Sequence, residues 1–175
     1  IFILNGADYV TIDGSIGSTA NTVCPVSTAT RNLSITNSNA GTSSAVVWLQ
    51  TAGSDAATNN TIKNCNIIGS GNTQTLFAVG SGSSTISTTS LGTSNNNNSI
   101  VNNNISKTQY GVYSHGASIG VKNTGTVINQ NLINTAAPDN VQFNAVWVGF
   151  DDGTTISGNN ISNLTTANDL AAIAV

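Results

Sequence analysis

NNTIKNCNII, residues 59–68, sets isoleucine at regular intervals within a run of asparagine. The phrase returns as NNSIVNNNI at 97–105, TVINQNLIN at 126–134 and TTISGNNIS at 154–162. Aligned on an apolar residue and the next one five positions on, the copies give Ile62/Ile67, Ile100/Ile105, Val127/Leu132 and Ile156/Ile161. LSITNS, with Leu33 and Ile35, reads as a weaker, earlier member. Steps between the leading residues Leu33, Ile62, Ile100, Val127 and Ile156 are 29, 38, 27 and 29.

A second element follows each copy: AVVWLQ (45–50), LFAVGSG (76–82), YGVYSHG (110–116), AVWVGF (145–150) and LAAIAV (170–175). These are short runs of β-favouring residues with small ones interspersed, and nothing holds a helical period over about 11 residues. Strand, asparagine bend, strand, loop and strand, repeated, predict an all-β chain. The specific expectation is a right-handed parallel β-helix of about five to six coils. Loops at 13–31, 51–58, 83–98 and 135–144 would project from it. Asn64, Asn102, Asn129 and Gly158 fall at the bend inside the phrase. Asparagine tolerates the left-handed backbone a sharp corner needs, and its amide can bond its counterpart one coil away in a ladder. Gly158 meets the same backbone demand and interrupts the side-chain ladder.

Composition narrows the class. Asn, Ser and Thr supply 72 of 175 residues, the charged residues only 11, and Glu and Met are absent. Exposed helices carry Glu and Lys, so a helical protein is excluded. So much asparagine and glycine would suit a disordered chain, but 38% of residues are hydrophobic and they recur regularly, as a packed core requires. The net charge is −3, and Arg31, Lys63, Lys107 and Lys122 are scattered, which leaves no footprint for nucleic acid. No apolar stretch reaches the length of a membrane span. Cys24 and Cys65 are compatible with a disulfide or with two buried thiols. Scarce charge and abundant Ser, Thr and Asn favour a secreted, extracellular setting. The chain reads as a single domain over 1–175 with apolar runs at both ends (IFIL and LAAIAV), as expected of a processed subunit or part of a longer exported chain.

GADYVTIDG at 6–14, RNLSITNS at 31–38, NNTIKNCNIIG at 59–69, YGVYSHG at 110–116 and TTISGNNISN at 154–163 carry a family likeness. The chain resembles the right-handed parallel β-helix repeat segments of large secreted bacterial surface proteins. VTIDG and NNTIxNC are its most specific elements, and the likeness covers nearly the whole chain. It implies the fold and a cell-surface location; the family carries no single activity. Similar coils occur in pectate lyases and polygalacturonases, which makes polysaccharide chemistry worth testing.

Such chemistry needs carboxylates on adjacent coils with a histidine and basic residues. Asp151-Asp152 and His115-Gly116 are superficially similar to polygalacturonase motifs, but their order is reversed and no basic residue follows Lys122. A lyase needs calcium and a basic side chain. The candidate ligands Asp8, Asp13, Asp55, Asp139, Asp151, Asp152 and Asp169 fall mostly in separate loops. Asp151-Asp152-Gly153 offers ligands for a structural calcium and reads equally as a turn. His115, the sole histidine, has neither cysteine nearby in sequence, so a nucleophilic triad is not indicated. Trp48, Tyr113 and Trp147 sit at similar points of the second element. Facing outward they would make a sugar-stacking strip; covered by a loop they would be core. Alternation puts Val47 and Leu49 on one face and Val46 and Trp48 on the other. A flat Thr-x-Thr ice-binding face is approached only at Thr28 and Thr30, outside the repeat. Sequons such as those at Asn32 and Asn104 are expected by chance at this composition.

The leading expectation is a structural role without catalysis or cofactor, as stalk, surface-layer or fibre building block. Strand edges near residues 1–12 would pair end to end with those near 156–175 of a neighbour, or with flanking β-helix. The competing expectation is a carbohydrate-binding adhesin or degenerate polysaccharide-active β-helix using Trp48, Tyr113, Trp147, Asp151 and Asp152.

Overall fold

Each copy of the phrase is two short strands meeting at a corner, and a second corner precedes it. The computed structural model describes residues 1–16, 30–165 and 172–175, with no helix among them. The strands are β1 (Phe2–Asn5), β2 (Thr11–Asp13), β3 (Leu33–Thr36), β4 (Ala45–Gln50), β5 (Thr61–Lys63), β6 (Cys65–Ile68), β7 (Phe77–Gly82), β8 (Ser99–Val101) and β9 (Asn104–Ser106). They continue as β10 (Tyr110–His115), β11 (Asn123–Thr124), β12 (Val127–Asn129), β13 (Leu132–Ile133), β14 (Val146–Gly149), β15 (Asp151–Asp152), β16 (Thr155–Ser157), β17 (Asn160–Ile161) and β18 (Ile173–Ala174).

The first sheet runs β1-β4-β7-β10-β14-β18, the second β2-β5-β8-β12-β16, the third β3-β6-β9-β13-β17, and β11 pairs β15. Every pairing between named strands is parallel. The chain visits the three sheets in rotation, an all-β arrangement consistent with a parallel β-helix.

Left-handed residues recur at two corners of the strand sets. Between the first and second sheets they are Tyr9, Asn59, Asn97, Gly125 and Gly153, with φ between 55° and 67°. Between the second and third they are Asn64, Asn102, Gln130 and Gly158, at 57°, 53°, 57° and 63°. Asn129, expected at this bend, is instead the last residue of β12, and Gln130 makes the corner. The expected pair Val127/Leu132 is displaced by the same single residue. Ile128 stacks on Ile100 and Ile156, and Ile133 on Ile161, because only that register turns both isoleucines inward. The early member is corrected too. Leu33 lies opposite Cys65 in the third sheet, whereas Ile12 of VTIDG is the residue in register with Ile62. An insertion after Gly14 splits that first copy; the chain rejoins where the Asn32 amide donates to the Gly14 carbonyl at 2.8 Å.

Inside, Ile62, Ile67, Ile100, Ile105, Ile128 and Ile133 are at most 2% exposed and pack against Val47, Val79, Val112 and Val146 of the first sheet. Burying each isoleucine stabilises by about 1.5–3 kcal/mol. Ile12, Ile35, Ile156 and Ile161, in the outermost sets, are only partly buried.

The corners leave backbone groups pointing into this core, where no water can meet them. Inward asparagines do so. Asn103 and Asn131, both fully buried, and Asn159 each follow a left-handed residue. Their Oδ1 atoms accept from the amides of Cys65, Asn103 and Asn131 at 3.0, 2.9 and 2.9 Å. A parallel pair, Asn60 and Asn98, serves the other corner. The ladder expected at the bend also exists for two rungs. Asn102 Nδ2 donates to Asn64 Oδ1 at 2.7 Å, and Asn64 Nδ2 to Asp13 at 2.8 Å.

Candidate functional site

The outward face of the first sheet carries a row of aromatic side chains in register. Trp48 lies opposite Gly80, Gly80 opposite Tyr113, and Tyr113 opposite Trp147. The three nominated rings therefore share one row, although tryptophan is fourth in AVVWLQ and third in AVWVGF. Trp48 spreads across the neighbouring strand, where a Cβ on Gly80 or Gly82 would come within 2.6 and 2.4 Å of its ring. Only glycine permits that approach.

A loop over residues 83–92 covers this end of the row. Trp48 Nε1 donates to the Ser83 carbonyl and Tyr113 Oη to the Thr88 carbonyl, both at 2.9 Å. Trp48 is fully buried and Tyr113 is 3% exposed. Burial first, then the neighbouring Tyr110, pushes the Tyr113 hydroxyl up to about 12. Neither ring presents a face to a ligand.

Beyond the loop the rings are open. Trp147 is half-buried and stacks on Tyr113 at 6.4 Å. Half-buried Tyr110 meets Phe143 at 5.5 Å and Trp147 at 6.4 Å. His115 stacks on Tyr113 at 6.0 Å and meets the exposed Phe150 edge-on at 5.3 Å. Counting only tryptophan and tyrosine at matching points of the repeat misses Tyr110, Phe143 and Phe150. The signal available for Phe150 was its place directly before the Asp151-Asp152 turn.

Asp151 and Asp152 do not act as a pair. Successive strand residues point to opposite faces: Asp152 is exposed, while Asp151 turns inward. There it accepts from Ser114 Oγ, from Asn123 Nδ2 at 3.1 Å, from the Gly116 amide at 3.2 Å and from Thr126 Oγ1 at 3.3 Å. Burial raises the carboxyl above its ordinary range, and these hydrogen bonds oppose the shift. Its oxygens already face four donors. A cavity of about 10 Å³ lies beside Ser114, Tyr113, Ser81 and Val79. That is room for one water molecule and not for a sugar.

The other acidic residues are dispersed. Asp8 accepts from Thr58, Asp13 pairs with Lys63 at 3.2 Å, and Asp139 with Lys107 at 3.1 Å. Among the described residues no three His, Cys or acidic side chains converge as a metal site. Asp169, Thr28 and Cys24 lie outside the described residues. Cys65 is buried, and its desolvation pushes the thiol up to about 11. His115 Nδ1 lies 2.6 Å from the carbonyl of the adjacent Gly116, on the face opposite Ser114.

No protein-family model, no curated protein and no solved structure matches this chain.

Proposed function

We propose that the chain is a segment of right-handed parallel β-helix, of about five to six coils, acting as an extracellular scaffold. Stalk, surface layer and fibre are the forms such a scaffold takes. One observation carries the reading: the buried asparagines bond the backbone of the preceding strand set, while Asp13, Asp139 and Asp151 are tied to separate local partners. Among the described residues this polar chemistry supports a repeat. The likeness of VTIDG and NNTIKNC to repeat segments of secreted bacterial surface proteins agrees with it. An antibody raised against the chain should label intact cells of its source. Labelling seen only after permeabilisation would overturn the extracellular role, and turnover of any polysaccharide in a substrate panel would overturn the non-catalytic one.

The open rings of Tyr110, Phe143, Trp147 and Phe150 favour a second reading, carbohydrate binding on the first sheet. Aromatic faces with polar neighbours suit sugar rings. Binding on a glycan array should then fall at least about tenfold on Trp147→Ala, and unchanged binding would remove that ring from the site.

A further inference from the structure

The corner between the second and third sheets is built differently in the first strand set. Later sets turn there on one left-handed residue: Asn64, Asn102, Gln130 or Gly158. In the first set no described residue between β2 and β3 is left-handed, and the chain leaves after Gly14 and rejoins at Asn32. A Cβ on Gly14 would lie 2.1 Å from the Asn64 carbonyl oxygen, so the departing chain passes this close only as glycine.

The two ends of the excursion are drawn together. The amides of Asn32 and Leu33 both donate to the Gly14 carbonyl, at 2.8 and 3.3 Å, and the Ile16 amide donates to Thr30 Oγ1 at 3.1 Å. Asn66 of the second set donates to the Arg31 carbonyl at 2.7 Å. The Arg31 side chain passes the second set and reaches the third. Its Nε donates to the Asn102 carbonyl at 2.7 Å and its Nη2 to Asn102 Oδ1. A guanidinium holds such a fork of donors rigidly, and an ammonium does not.

Asn102 also heads the corner ladder. Its Nδ2 donates to Asn64 Oδ1 at 2.7 Å, and Asn64 Nδ2 donates to Asp13 at 2.8 Å. The hydrogen bonds therefore run in one direction, from the Arg31 cation through two amides to the Asp13 carboxylate. Charge at each end strengthens the bonds between, because aligned amides polarise one another. Burial raises the Asp13 carboxyl, and Asn64 leads the hydrogen bonds that bring it down to about 2. Asp13 and Arg31 stand on opposite sides of the excursion, so the chain of bonds closes a ring around its neck.

We infer that Arg31, Asn102, Asn64 and Asp13 form a clasp that completes this corner in place of a left-handed residue. The clasp makes the register of the strand sets independent of the chain between Ile16 and Thr30. The neck is then a position at which the strand sets carry an added segment. This goes beyond the scaffold role, and it stands on the hydrogen bonds of the corner rather than on the location of the protein.

The test reads hydrogen exchange in the whole chain at the Asn32 backbone amide and at the side-chain amides of Asn64 and Asn102. The Val112 amide, which donates to the Ala145 carbonyl in the first sheet, is the reference. Arg31→Gln should speed exchange at Asn32 at least about tenfold, the weight of one well-placed hydrogen bond. It should also speed the Asn64 side-chain amide, which is bonded to Asp13, while Val112 stays as in the parent. Asp13→Asn should speed the Asn102 side-chain amide from the other end. Arg31→Lys keeps the charge, loses the fork and should behave as Arg31→Gln. With residues 17–29 replaced by a glycine-serine linker of equal length, Asn32 should stay protected while Arg31 is present and lose protection in Arg31→Gln. Effects confined to the directly bonded partner, or an Arg31→Lys chain that behaves as the parent, overturn the inference. So do equal acceleration at Val112 and loss of Asn32 protection in the linker chain that retains Arg31. Surface labelling of intact cells is scored separately, so the clasp can fail while the scaffold role stands.

Discussion

Replacing Asn131 with leucine tests whether the buried amides hold the strand sets together. Asn131 is fully buried and its side chain makes four contacts. Its Oδ1 accepts from the Asn103 amide at 2.9 Å and from Asn103 Nδ2 at 3.1 Å. Its Nδ2 donates to the Ile100 carbonyl at 2.9 Å and to Asn159 Oδ1 at 3.0 Å. Leucine has nearly the same volume, so it leaves little space for a replacement water. The Asn103 amide and the Ile100 carbonyl would both be orphaned, at about 1–3 kcal/mol each. Leucine's own burial returns about 2 kcal/mol. The net loss for Asn131→Leu is then about 2 kcal/mol, read as a lower urea midpoint at unchanged slope. Hydrogen exchange at the Asn103 amide should accelerate in the same variant. Asn160→Leu, at an exposed position, should stay within about 0.5 kcal/mol of the parent. If Asn131→Leu behaves like Asn160→Leu and the Asn103 amide stays protected, the ladder is incidental to stability.

Three further outcomes follow from single groups. Burial pushes the Asp13 carboxyl up, but hydrogen bonds from Asn64, Ser15 and Lys63 outweigh it and hold it at about 2, below the ordinary 3.8. A depressed folded value means the stabilisation is present above pH 3.8 and is lost as pH falls through about 2. After screening it amounts to about 1 kcal/mol, and Asp13→Asn should flatten the urea midpoint across that window. Asp151 has the opposite sign: burial raises its folded value, so its contribution is present at low pH and is lost as pH rises through that value. Asp151→Asn continues the series of Asn95 and Asn123 and should unfold no more easily than the parent at pH 7; a loss above about 1 kcal/mol would show that the carboxylate itself is needed. The Cys65 thiol, buried and raised to about 11, should resist alkylation at pH 8 until the chain unfolds, and labelling of the native protein at the rate of a free thiol would refute that placement.

The sequence showed the repeat but not its frame everywhere. In TVINQNLIN two apolar pairs share the same spacing, Val127/Leu132 and Ile128/Ile133, and counting apolar residues cannot choose between them. The deciding residue is polar: Asn131 stands three after Ile128 as Asn103 stands three after Ile100, and both point inward. Asparagine is ordinarily a surface residue, so its fixed place beside the core carried no weight in an apolar alignment. The same oversight hid the first copy, whose halves VTID and LSIT are separated by the insertion after Gly14. The row of Trp48, Gly80, Tyr113 and Trp147 was hidden for another reason. A glycine stands in it, and only register reveals a glycine as the partner of an aromatic ring.

Loop length decides which of those rings a ligand could reach. The Asn60–Asn98 bond spans 38 residues, while the Asn103–Asn131 and Asn131–Asn159 bonds each span 28. The corners are the same at every step, so the extra residues of the longer step must leave the sheets. They form the 83–92 loop, which departs after β7 and folds back over the first sheet. There it bonds Trp48 through Ser83 and Tyr113 through Thr88 and closes their faces. Two steps on, β14 passes to β15 with only Phe150 between them, so no loop leaves that point to fold back over Trp147. The strand phrase therefore fixes where the aromatic row lies, and the insertions alone set whether a ring is core or surface. Shortening the 83–92 loop would be expected to extend the open aromatic surface toward Trp48 without altering a single corner.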